Sequence, residues 1–501
     1  GSVWASLARS GGLEFDLVSS YYSSFYTFDL VDDFGEDRYP TAREFYDMHL
    51  RYYRQYQDRI LVDRVALIEN QRDHSIVHTT SGERLKARHV VISTAYRRRV
   101  VESLTTFDCS IRNQTVVFDT IGDSANLLIS KLVTGDNRII CLQNGFLALD
   151  KLFYMGDTTY SLDQLEAHQM ARSFPRLYGA VINFNFVPMY AVAPTFRPVA
   201  AYMAHVRGIQ HVLGRLFTPE NFHVPFADTR RVIEADRPPK AHVPNGIIAI
   251  KYWPIDTYAR QFADDLPERI KQGFLLNDLP YFVSEGLVTL WSKAETTVDE
   301  ASRTIEWNGE RVHYDHLIKG DAEVPRLPRI THEKDGQVVD YEYVYRENHL
   351  GVIPRALTNV YLLGYTRPLT GGLSNITEMQ GLLIHRLITD EPFRTDMTAR
   401  LDEKIARYNR KYYVTDTPGP RDHLTYYGFY TDEVARELGI ELRLRSCRSL
   451  RDVAKYLSYP NNADKFRQTG RYRIDRCAEF VDHVFARHNG FKLVWQLALT
   501  Y

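Results

Sequence analysis

The chain has 501 residues, of which 44% are hydrophobic and 25% are charged. This composition is typical of a globular protein, and the length predicts two or more domains because single hydrophobic cores rarely grow so large. The formal net charge is -1, and the sequence has no arginine-rich block. A general electrostatic attraction to nucleic acid or to an anionic membrane is therefore excluded.

The cysteines and histidines give no sign of a metal site or a disulfide framework. Cys109, Cys141, Cys447 and Cys477 are far apart and form no CxxC pair, which favours a reducing compartment and predicts a cytoplasmic protein. The 17 histidines form no HExxH motif. No signal-peptide pattern and no run of ~18 apolar residues is present. The apolar segment 491–501 could make a peripheral membrane contact, but docking on the core is the favoured alternative.

The first hundred residues predict a loop, a helix and several strands. Residues 13–34 are rich in aromatic residues and serine and are predicted to form a loop or a pocket wall. A helix is predicted from Thr41, its N-cap, to about Ile60, because acidic and apolar residues follow at helical spacing. Strands are predicted at 60–67, 75–80 and 89–93, with the turn 81–83 joining the last two.

A βαβ unit is predicted next. Asn113–Asp119 is typical of a buried strand, 120–126 of a turn containing Gly122, 127–133 of a helix and Arg138–Leu142 of a second strand. In a dinucleotide site such a turn lets the backbone approach a pyrophosphate, which the helix N-terminus stabilises. A plain strand–helix turn is at least as well supported.

The residue after the second strand usually identifies the nicotinamide cofactor. An acid would bind a ribose hydroxyl, and an arginine would bind a 2′-phosphate. This sequence has Gln143-Asn144-Gly145 there, so it leaves the choice between NADH and NADPH open.

The second half of the chain repeats the alternation of strands and helices. Strands are predicted at 287–291 and 303–307, with a hairpin turn at Asn308-Gly309 and a returning strand at 311–318. A buried strand at 360–364 enters a glycine-rich loop, followed by a helix from about Thr377 to Ile388. That helix N-terminus could face an isoalloxazine ring or a phosphate, and an ordinary capped loop is equally supported. The alternation predicts a doubly wound α/β fold.

Several stretches, in chain order, resemble the flavin-containing monooxygenase family of class B flavoprotein monooxygenases. The two most specific are Gly364–Gln380, similar to the family's Gly-x-Thr-Arg-Pro…Glu-x-Gln stretch beside the flavin, and Lys411–Gly439, similar to its C-terminal region. The other matching stretches are Gly1-Ser-Val-Trp4, Tyr39-Pro40-Thr41, Val116–Asn126 and Asn277–Pro280.

This resemblance implies two Rossmann-like nucleotide-binding domains and a helical C-terminal region. It assigns 1–113 and 262–430 to a discontinuous FAD-binding domain that lacks its first βα unit. It assigns 114–261 to an NADP-binding domain with a helical insertion, and 431–501 to the C-terminal region. A sheet that joined residues 60–95 continuously to 114–145 would contradict this division.

The resemblance also implies an enzyme that uses FAD, NADPH and O2. One oxygen atom would be added to a nucleophilic nitrogen, sulfur or carbon centre of a small-molecule substrate. No catalytic residue and no metal ligand is assigned, and the substrate and the oligomeric state are left open. The residues implied to contact the cofactors are Trp4, Gly122, Ser124, Ala125, Asn126, Gly364, Thr366, Arg367, Pro368 and Gln380.

Several departures favour an alternative, a degenerate family member that acts as a binding or scaffold protein. The first strand and the GxGxxG loop would precede Gly1, Thr120 replaces the first glycine of the second turn, and no asparagine is near Tyr21 or Tyr22, where the family has one. Nicotinamide binding is therefore expected to be weak, because the branched Thr120 crowds the pyrophosphate. We also expect that the chain as given holds no tightly bound FAD, that Gly1 lies within the fold, and that the sheet edge beside 89–93 is open.

Overall fold

The structure is a computed structural model, and it describes most of residues 17–161 and 286–488 together with 249–251. The longer segments outside the described residues are 1–16, 99–106, 162–248, 252–285 and 489–501. The shorter ones are 18, 36–37, 109, 120–124, 126–127, 130–131, 144–146, 150–151, 156–157, 320–322, 369–370, 414–416, 420–421 and 426. Predictions about Trp4, Gly1 and the C-terminal tail therefore lie outside the described residues.

The described residues form strands throughout and concentrate their helices near both ends. The strands are β1 Val65–Asn70, β2 Ser75–Thr79, β3 Arg84–Ala87, β4 Val90–Ile92, β5 Tyr96–Arg98, β6 Thr115–Phe118, β7 Arg138–Gln143, β8 Leu147–Leu149, β9 Leu152–Met155, β10 Thr158–Ser161, β11 Ala249–Lys251, β12 Val288–Ser292, β13 Thr297–Asp299, β14 Thr304–Trp307, β15 Glu310–His313, β16 His316–Ile318, β17 Glu323–Pro325, β18 Arg329–Lys334, β19 Gln337–Asp340, β20 Asn348–His349, β21 Ile353–Pro354, β22 Val360–Leu362, β23 Arg367–Pro368 and β24 Leu424–Thr425. The α-helices are α1 Tyr21–Ser24, α2 Thr27–Asp33, α3 Ala42–Tyr56, α4 Leu373–Thr389, α5 Glu391–Ala399, α6 Leu401–Tyr412, α7 Tyr427–Leu438, α8 Leu450–Ser458 and α9 Cys477–His488.

The helix predicted at Thr41 begins there and is fixed by a capping box. The Thr41 hydroxyl accepts a hydrogen bond from the Glu44 amide at 3.2 Å, and the Glu44 carboxylate accepts one from the Thr41 amide at 2.8 Å. The α-helix ends at Tyr56, and one 3-10 turn continues to Arg59, close to the predicted end.

The loop predicted over 13–34 is wrong for its second half, where α1 and α2 form instead. Their aromatic side chains are buried in a cluster with α9, in which Tyr22 meets the Phe480 ring edge-on at 5.6 Å between centroids. This burial comes from a segment some 450 residues away in sequence, which a local pattern cannot show.

The first group of sheets joins two distant parts of the chain. A five-stranded sheet has the order β19-β18-β1-β2-β3, with β1 parallel to β18, and a second pair places β4 parallel to β22. The turn at 81–83 leads from β2 into β3, a short exposed edge strand that the sequence did not predict, and not directly into β4. Among the described residues, β4 pairs with one strand, β22.

The second sheet is parallel throughout, with the order β12-β7-β6-β16. Described residues of the segment after β6, namely Ala125, Leu128, Ile129 and Leu132, are helical and pack on one face of this sheet. The other face packs against β14 and β15 through Trp291 and Trp307. In the described part of the chain, residues 65–92 do not pair with this sheet. The continuous sheet that would have contradicted the predicted division is therefore not found there.

Part of the predicted division needs correction. Strands β12 and β16 were assigned with 262–430 to the first domain, but they pair with β7 and β6 of the second sheet. The Asn308-Gly309 hairpin turn is confirmed, with φ of 49° and 76°. The returning strand ends at His313, however. The chain then enters the second sheet as β16, and Asp315 Oδ2 accepts a hydrogen bond from the Thr115 amide at 2.8 Å where it does so. The remainder of the division stays a prediction.

The C-terminal part is helical, as predicted. Helix α4 begins at Leu373, four residues before the predicted start, and packs against α1, α5 and α7. Among the described residues, no helix combines the length and apolarity that a membrane crossing needs.

Candidate functional site

Two parallel strands, β4 and β22, end at the same edge, and this β4–β22 edge is the first candidate site. Residues 93–96 follow β4, and residues 363–368 follow β22. In doubly wound folds, ligands bind outside the carboxyl ends of parallel strands. The predicted cofactor residues Gly364, Thr366, Arg367 and Pro368 therefore lie where this architecture places a ligand.

The loop after β22 is fixed by a chain of buried hydrogen bonds. Gly364 has φ of 80°, a conformation that favours glycine, and its amide donates to Gln380 Oε1 at 2.8 Å. Gln380 Nε2 donates to the Tyr430 hydroxyl at 2.7 Å, which in turn donates to the Leu350 carbonyl at 2.6 Å. The structure thus brings Gly364 and Gln380 together and fixes both to α7.

Thr366 is held in a second buried set of contacts. Its hydroxyl lies 2.9 Å from the Tyr345 hydroxyl and donates to the Leu350 carbonyl at 3.2 Å. A side chain on Gly351 would place its Cβ 2.3 Å from Thr366 Oγ1, so only glycine fits there. Burial raises the pKa of Tyr345 and of Tyr430 well above the usual range, so both hydroxyls stay protonated and can donate.

Arg367 and Pro368 form β23, which is half-buried and runs parallel to β24. The Arg367 amide donates to the His423 carbonyl at 2.8 Å. On β24, the Thr425 hydroxyl is buried and has no hydrogen-bond partner among the described residues. A buried hydroxyl without a partner costs ~1–3 kcal/mol, so this edge offers a polar atom that a ligand would satisfy.

An aromatic cluster covers the same edge. The Tyr96 ring stacks on His423 at 4.2 Å between centroids, and its hydroxyl lies 3.0 Å from that of Tyr343. Tyr365 packs against both tyrosines and donates its hydroxyl to the Arg326 carbonyl at 2.8 Å. These residues come from four separate segments, so no local sequence pattern signalled the cluster. The tyrosine rings are inclined to one another by 48° to 76°, and they make this edge rich in aromatic surface.

The N-terminus of α4, which the sequence offered to an isoalloxazine ring or a phosphate, is packed against the chain itself. The Gly372 amide donates to Ser23 Oγ at 3.0 Å, and Ser374 Oγ donates to the Ser24 carbonyl at 2.6 Å. A Cβ on Gly372 would lie 2.1 Å from the Ser23 carbonyl oxygen. The start of α4 thus packs against α1 without a side-chain cap of its own, and the choice between a ligand-facing helix start and an ordinary capped loop stays a prediction.

Buried charges fasten the same end of α4 to the C-terminal segment. The Glu378 carboxylate accepts from the Thr27 amide at 2.8 Å and from its hydroxyl at 3.0 Å, and it forms a buried ion pair with Arg467. Nearby, the Tyr459 hydroxyl donates to Asp464 Oδ2 at 2.5 Å. Burial, reinforced by the Glu378 charge, raises the pKa of the Asp464 carboxyl to about 7.

The carboxyl edge of the second sheet is the second candidate site. Asp119 follows β6, and Lys293 follows β12. The Lys293 ammonium donates to the Asp119 carbonyl at 2.9 Å and lies 2.7 Å from Asp119 Oδ1. Ala125, a predicted cofactor residue, is packed in the hydrophobic cluster below this edge. The other predicted residues here, Gly122, Ser124 and Asn126, lie outside the described part.

The residues at the β4–β22 edge fit a flavin in part. The Gly364 amide, the Thr366 hydroxyl and the Gln380 amide are all engaged within the chain, so they would support a ring by shape and would not hydrogen-bond to it. The half-exposed β23 and the Thr425 hydroxyl remain to receive it. Among the described residues, no group of three or more His, Cys, Asp or Glu could hold a metal ion.

Comparisons with known proteins give structural similarity alone. No family model and no curated protein matches the chain. Its structure is similar to a cyclohexanone-bound crystal structure of cyclohexanone monooxygenase, with 12% identity over 87% of this chain and 95% of that one and a TM-score of 0.48. It is also similar to an oxidized steroid monooxygenase bound to NADP, with 13% identity over 88% and 91% and a TM-score of 0.44. A flavin-containing monooxygenase from Stenotrophomonas maltophilia shares 14% identity over 77% and 87%, with a TM-score of 0.35.

Proposed function

We propose that the chain is a flavin- and NADPH-dependent monooxygenase that adds one oxygen atom from O2 to a nucleophilic nitrogen, sulfur or carbon centre of a small molecule. The observation that carries the proposal is the β4–β22 edge, where the stretch that resembles the family's flavin contact lies at the carboxyl ends of parallel strands. Beside it lies the Thr425 hydroxyl, which has no hydrogen-bond partner among the described residues. The separate parallel sheet β12-β7-β6-β16 supports a second nucleotide site.

The residues of the first site would position the flavin and exclude water from it. When bound and reduced, FAD supplies the reactivity toward oxygen. The hydrogen bonds among Gly364, Gln380 and Tyr430 hold the loop rigid before any ligand arrives, which lowers the entropic cost of binding. The rings of Tyr96 and Tyr365 keep the edge apolar, and Thr425 would donate a hydrogen bond to a ring oxygen or nitrogen.

Flavin titration of the full chain tests the proposal. FAD fluorescence and absorbance should change on binding, and the complex should oxidise NADPH with uptake of oxygen. Thr425→Val removes the unpartnered hydroxyl at nearly constant volume and should weaken FAD binding by about tenfold, since a buried hydrogen bond is worth ~1–1.5 kcal/mol. Thr389→Val at the exposed end of α4 makes the same chemical change away from the edge and should bind FAD as the unchanged chain does. Weak FAD binding is expected of the chain as given, so the absence of any FAD binding, weak or tight, would refute the proposal.

The alternative, a degenerate family member that serves as a binding or scaffold protein, is favoured by one observation. The N-terminus of α4 is packed against Ser23 and Ser24, and Thr366 and Gln380 are satisfied within the chain. On this alternative the protein folds, binds no nucleotide and consumes no oxygen in the same titration.

A further inference from the structure

Three consecutive apolar side chains are exposed where α3 leads into β1. Ile60, Leu61 and Val62 are 41%, 52% and 87% exposed, and Val62 has the largest exposed fraction among the large hydrophobic residues that the structure describes. Outside residues 53–65, the exposed large hydrophobic residues of the described part stand singly along the sequence, as on most protein surfaces. Because neighbouring side chains point in different directions, the exposure of all three indicates that this segment projects from the surface.

The projecting segment is held in place by the Asp63 carboxylate. Asp63 Oδ1 accepts hydrogen bonds from the Arg64 amide at 2.7 Å and from the Thr80 hydroxyl at 2.8 Å, and Asp63 Oδ2 accepts one from the Ser81 hydroxyl. The bonds from Ser81 and its neighbours lower the pKa of the Asp63 carboxyl, so it accepts them as a carboxylate at neutral pH. The apolar residues are thus presented in a fixed conformation, which reduces the entropy lost on binding a partner.

Tyrosines and arginines flank the projecting segment. Tyr53 and Tyr56, in the last turns of α3, are about half-exposed. Arg54, Arg59 and Arg64 are exposed and form no ion pair within the described part of the chain. Tyrosine and arginine both combine an apolar body with a polar tip, which suits them to the boundary between the acyl chains and the headgroups of a lipid bilayer.

The neighbouring edge strand β3 adds further positive charge. Val65 at the start of β1 stands opposite Thr79, and the adjacent His78 stands opposite Arg84, so Arg84 is about 10 Å from the start of β1. Arg84 and Lys86 are exposed and likewise have no ion-pair partner among the described residues. With the three arginines above, these cations outnumber the acidic residues of 53–65 and 79–86 by five to three, whereas the whole chain has a net charge of -1.

We infer that this surface, formed by residues 53–65 with Arg84 and Lys86, binds an anionic lipid bilayer, with the side chains of Ile60–Val62 inserted at the headgroup boundary. The inserted side chains would leave water, and the cations would meet the negative headgroups. A second copy of the chain fits less well, because a symmetric contact would bring the same arginines face to face. This contact goes beyond the proposed monooxygenase activity and does not depend on it.

Co-sedimentation of the full chain with vesicles tests the inference. The chain should bind vesicles of phosphatidylcholine and phosphatidylserine more tightly than vesicles of phosphatidylcholine alone, and added salt should reduce the difference. Val62→Asp should reduce binding by about tenfold, because the burial of one valine side chain is lost. Val338→Asp makes the same change in the β18–β19 hairpin, where Val338 is 77% exposed, and should bind as the unchanged chain does.

The role of the arginines has its own matched pair of variants. Arg59→Gln should reduce binding to the vesicles that contain phosphatidylserine by about fivefold, the contribution of one cation near an anionic surface. It should leave binding to phosphatidylcholine vesicles nearly unchanged. Arg445→Gln removes an exposed arginine outside this surface and should change neither.

Four results of the vesicle experiment would overturn the inference: binding to neither kind of vesicle, equal binding to both, no loss in Val62→Asp, or the same loss in Val338→Asp. Analytical ultracentrifugation covers the remaining occupant. Self-association that Val62→Asp abolishes, without binding to vesicles, would identify a contact between two copies and overturn the lipid contact. Circular dichroism would check the fold of each variant, and Leu61→Ser takes the place of Val62→Asp if that variant does not fold.

Discussion

Replacing Asp464 with Asn should remove a pH-dependent destabilisation of the C-terminal segment. Asp464 is fully buried between α4 and α9, with one carboxylate oxygen bound by Tyr459 and the other without a hydrogen-bond partner in the described part of the chain. The adjacent Lys465 directs its ammonium to the carbonyl oxygens of Tyr456 and Tyr459. The Glu378 carboxylate disfavours a second negative charge on Asp464. The environment therefore favours the protonated acid, whose shape and donor capacity Asn reproduces.

The size of the effect follows from the pKa of Asp464. Burial raises this pKa from 3.8 to about 7, so between these values unfolding releases a proton and rising pH favours the unfolded chain. The stabilisation by the protonated acid is complete below pH 4 and declines as the pH rises to about 7. Above about pH 7 the protonation of Asp464 no longer changes the stability. A difference of about three pH units corresponds to ~4 kcal/mol. Asp464→Asn should match the unchanged protein at pH 4 and exceed its stability by up to this amount at pH 8.

Hydrogen exchange would measure this difference locally, in peptides from 459–488. The exchange would be followed by mass spectrometry between pH 5 and 8 and corrected for the intrinsic exchange rate. Urea unfolding followed by circular dichroism would measure it for the whole chain. Asp475→Asn is the matched control, because its side chain lies in the same segment and is 96% exposed. The same pH dependence of protection in this segment for the unchanged protein and for Asp464→Asn would contradict this role of Asp464.

Three further substitutions test the packing around α4. Gly372→Ala should destabilise the contact with α1, because its Cβ would lie 2.1 Å from the Ser23 carbonyl oxygen. Gly381 lies in the same helix with open space around it, so Gly381→Ala should stabilise the protein by ~1 kcal/mol. Urea midpoints that move in the same direction for both variants would contradict this. Tyr430→Phe removes the hydroxyl that accepts from Gln380 and should cost ~1–3 kcal/mol in urea unfolding, because the buried amide loses its partner. A cost below ~0.5 kcal/mol would show that the network does not stabilise the loop.

The sequence predicted the elements whose signals are local. Thr41 and Glu44 form a capping box within four residues, Asn308-Gly309 forces a hairpin turn, and the strands at 115–118 and 138–143 are buried apolar runs. It did not predict α1 and α2, whose aromatic residues become helical through burial against α9. Nor did it assign β12 and β16 to the second sheet, because the partner of a strand depends on the whole chain topology.

The sequence predicted the loop that lies at the β4–β22 edge, and it did not predict the contacts that fix this loop. The glycine-rich stretch after β22 marked the β4–β22 edge, because a strand, a loop and a helix follow one another there. The sequence could not show that Gln380 bonds to Gly364 and Tyr430, since that contact depends on the orientation of a side chain in a folded core. The sequence also could not predict the Lys293–Asp119 ion pair, because the two residues are separated by 174 positions.

The pairing of β5 with β17 has a consequence for how the chain could be cut and reassembled. Tyr96 stands opposite Pro325 and Arg98 opposite Glu323, so the strand that leaves the first group of sheets lies antiparallel to the strand that returns to it. Further pairings hold the flanking parts together, β1 with β18 and β4 with β22. A nick between β5 and β6 would therefore leave two fragments that share three sets of interstrand hydrogen bonds. The two fragments, produced separately, have the complementary edges required to recombine without a covalent link.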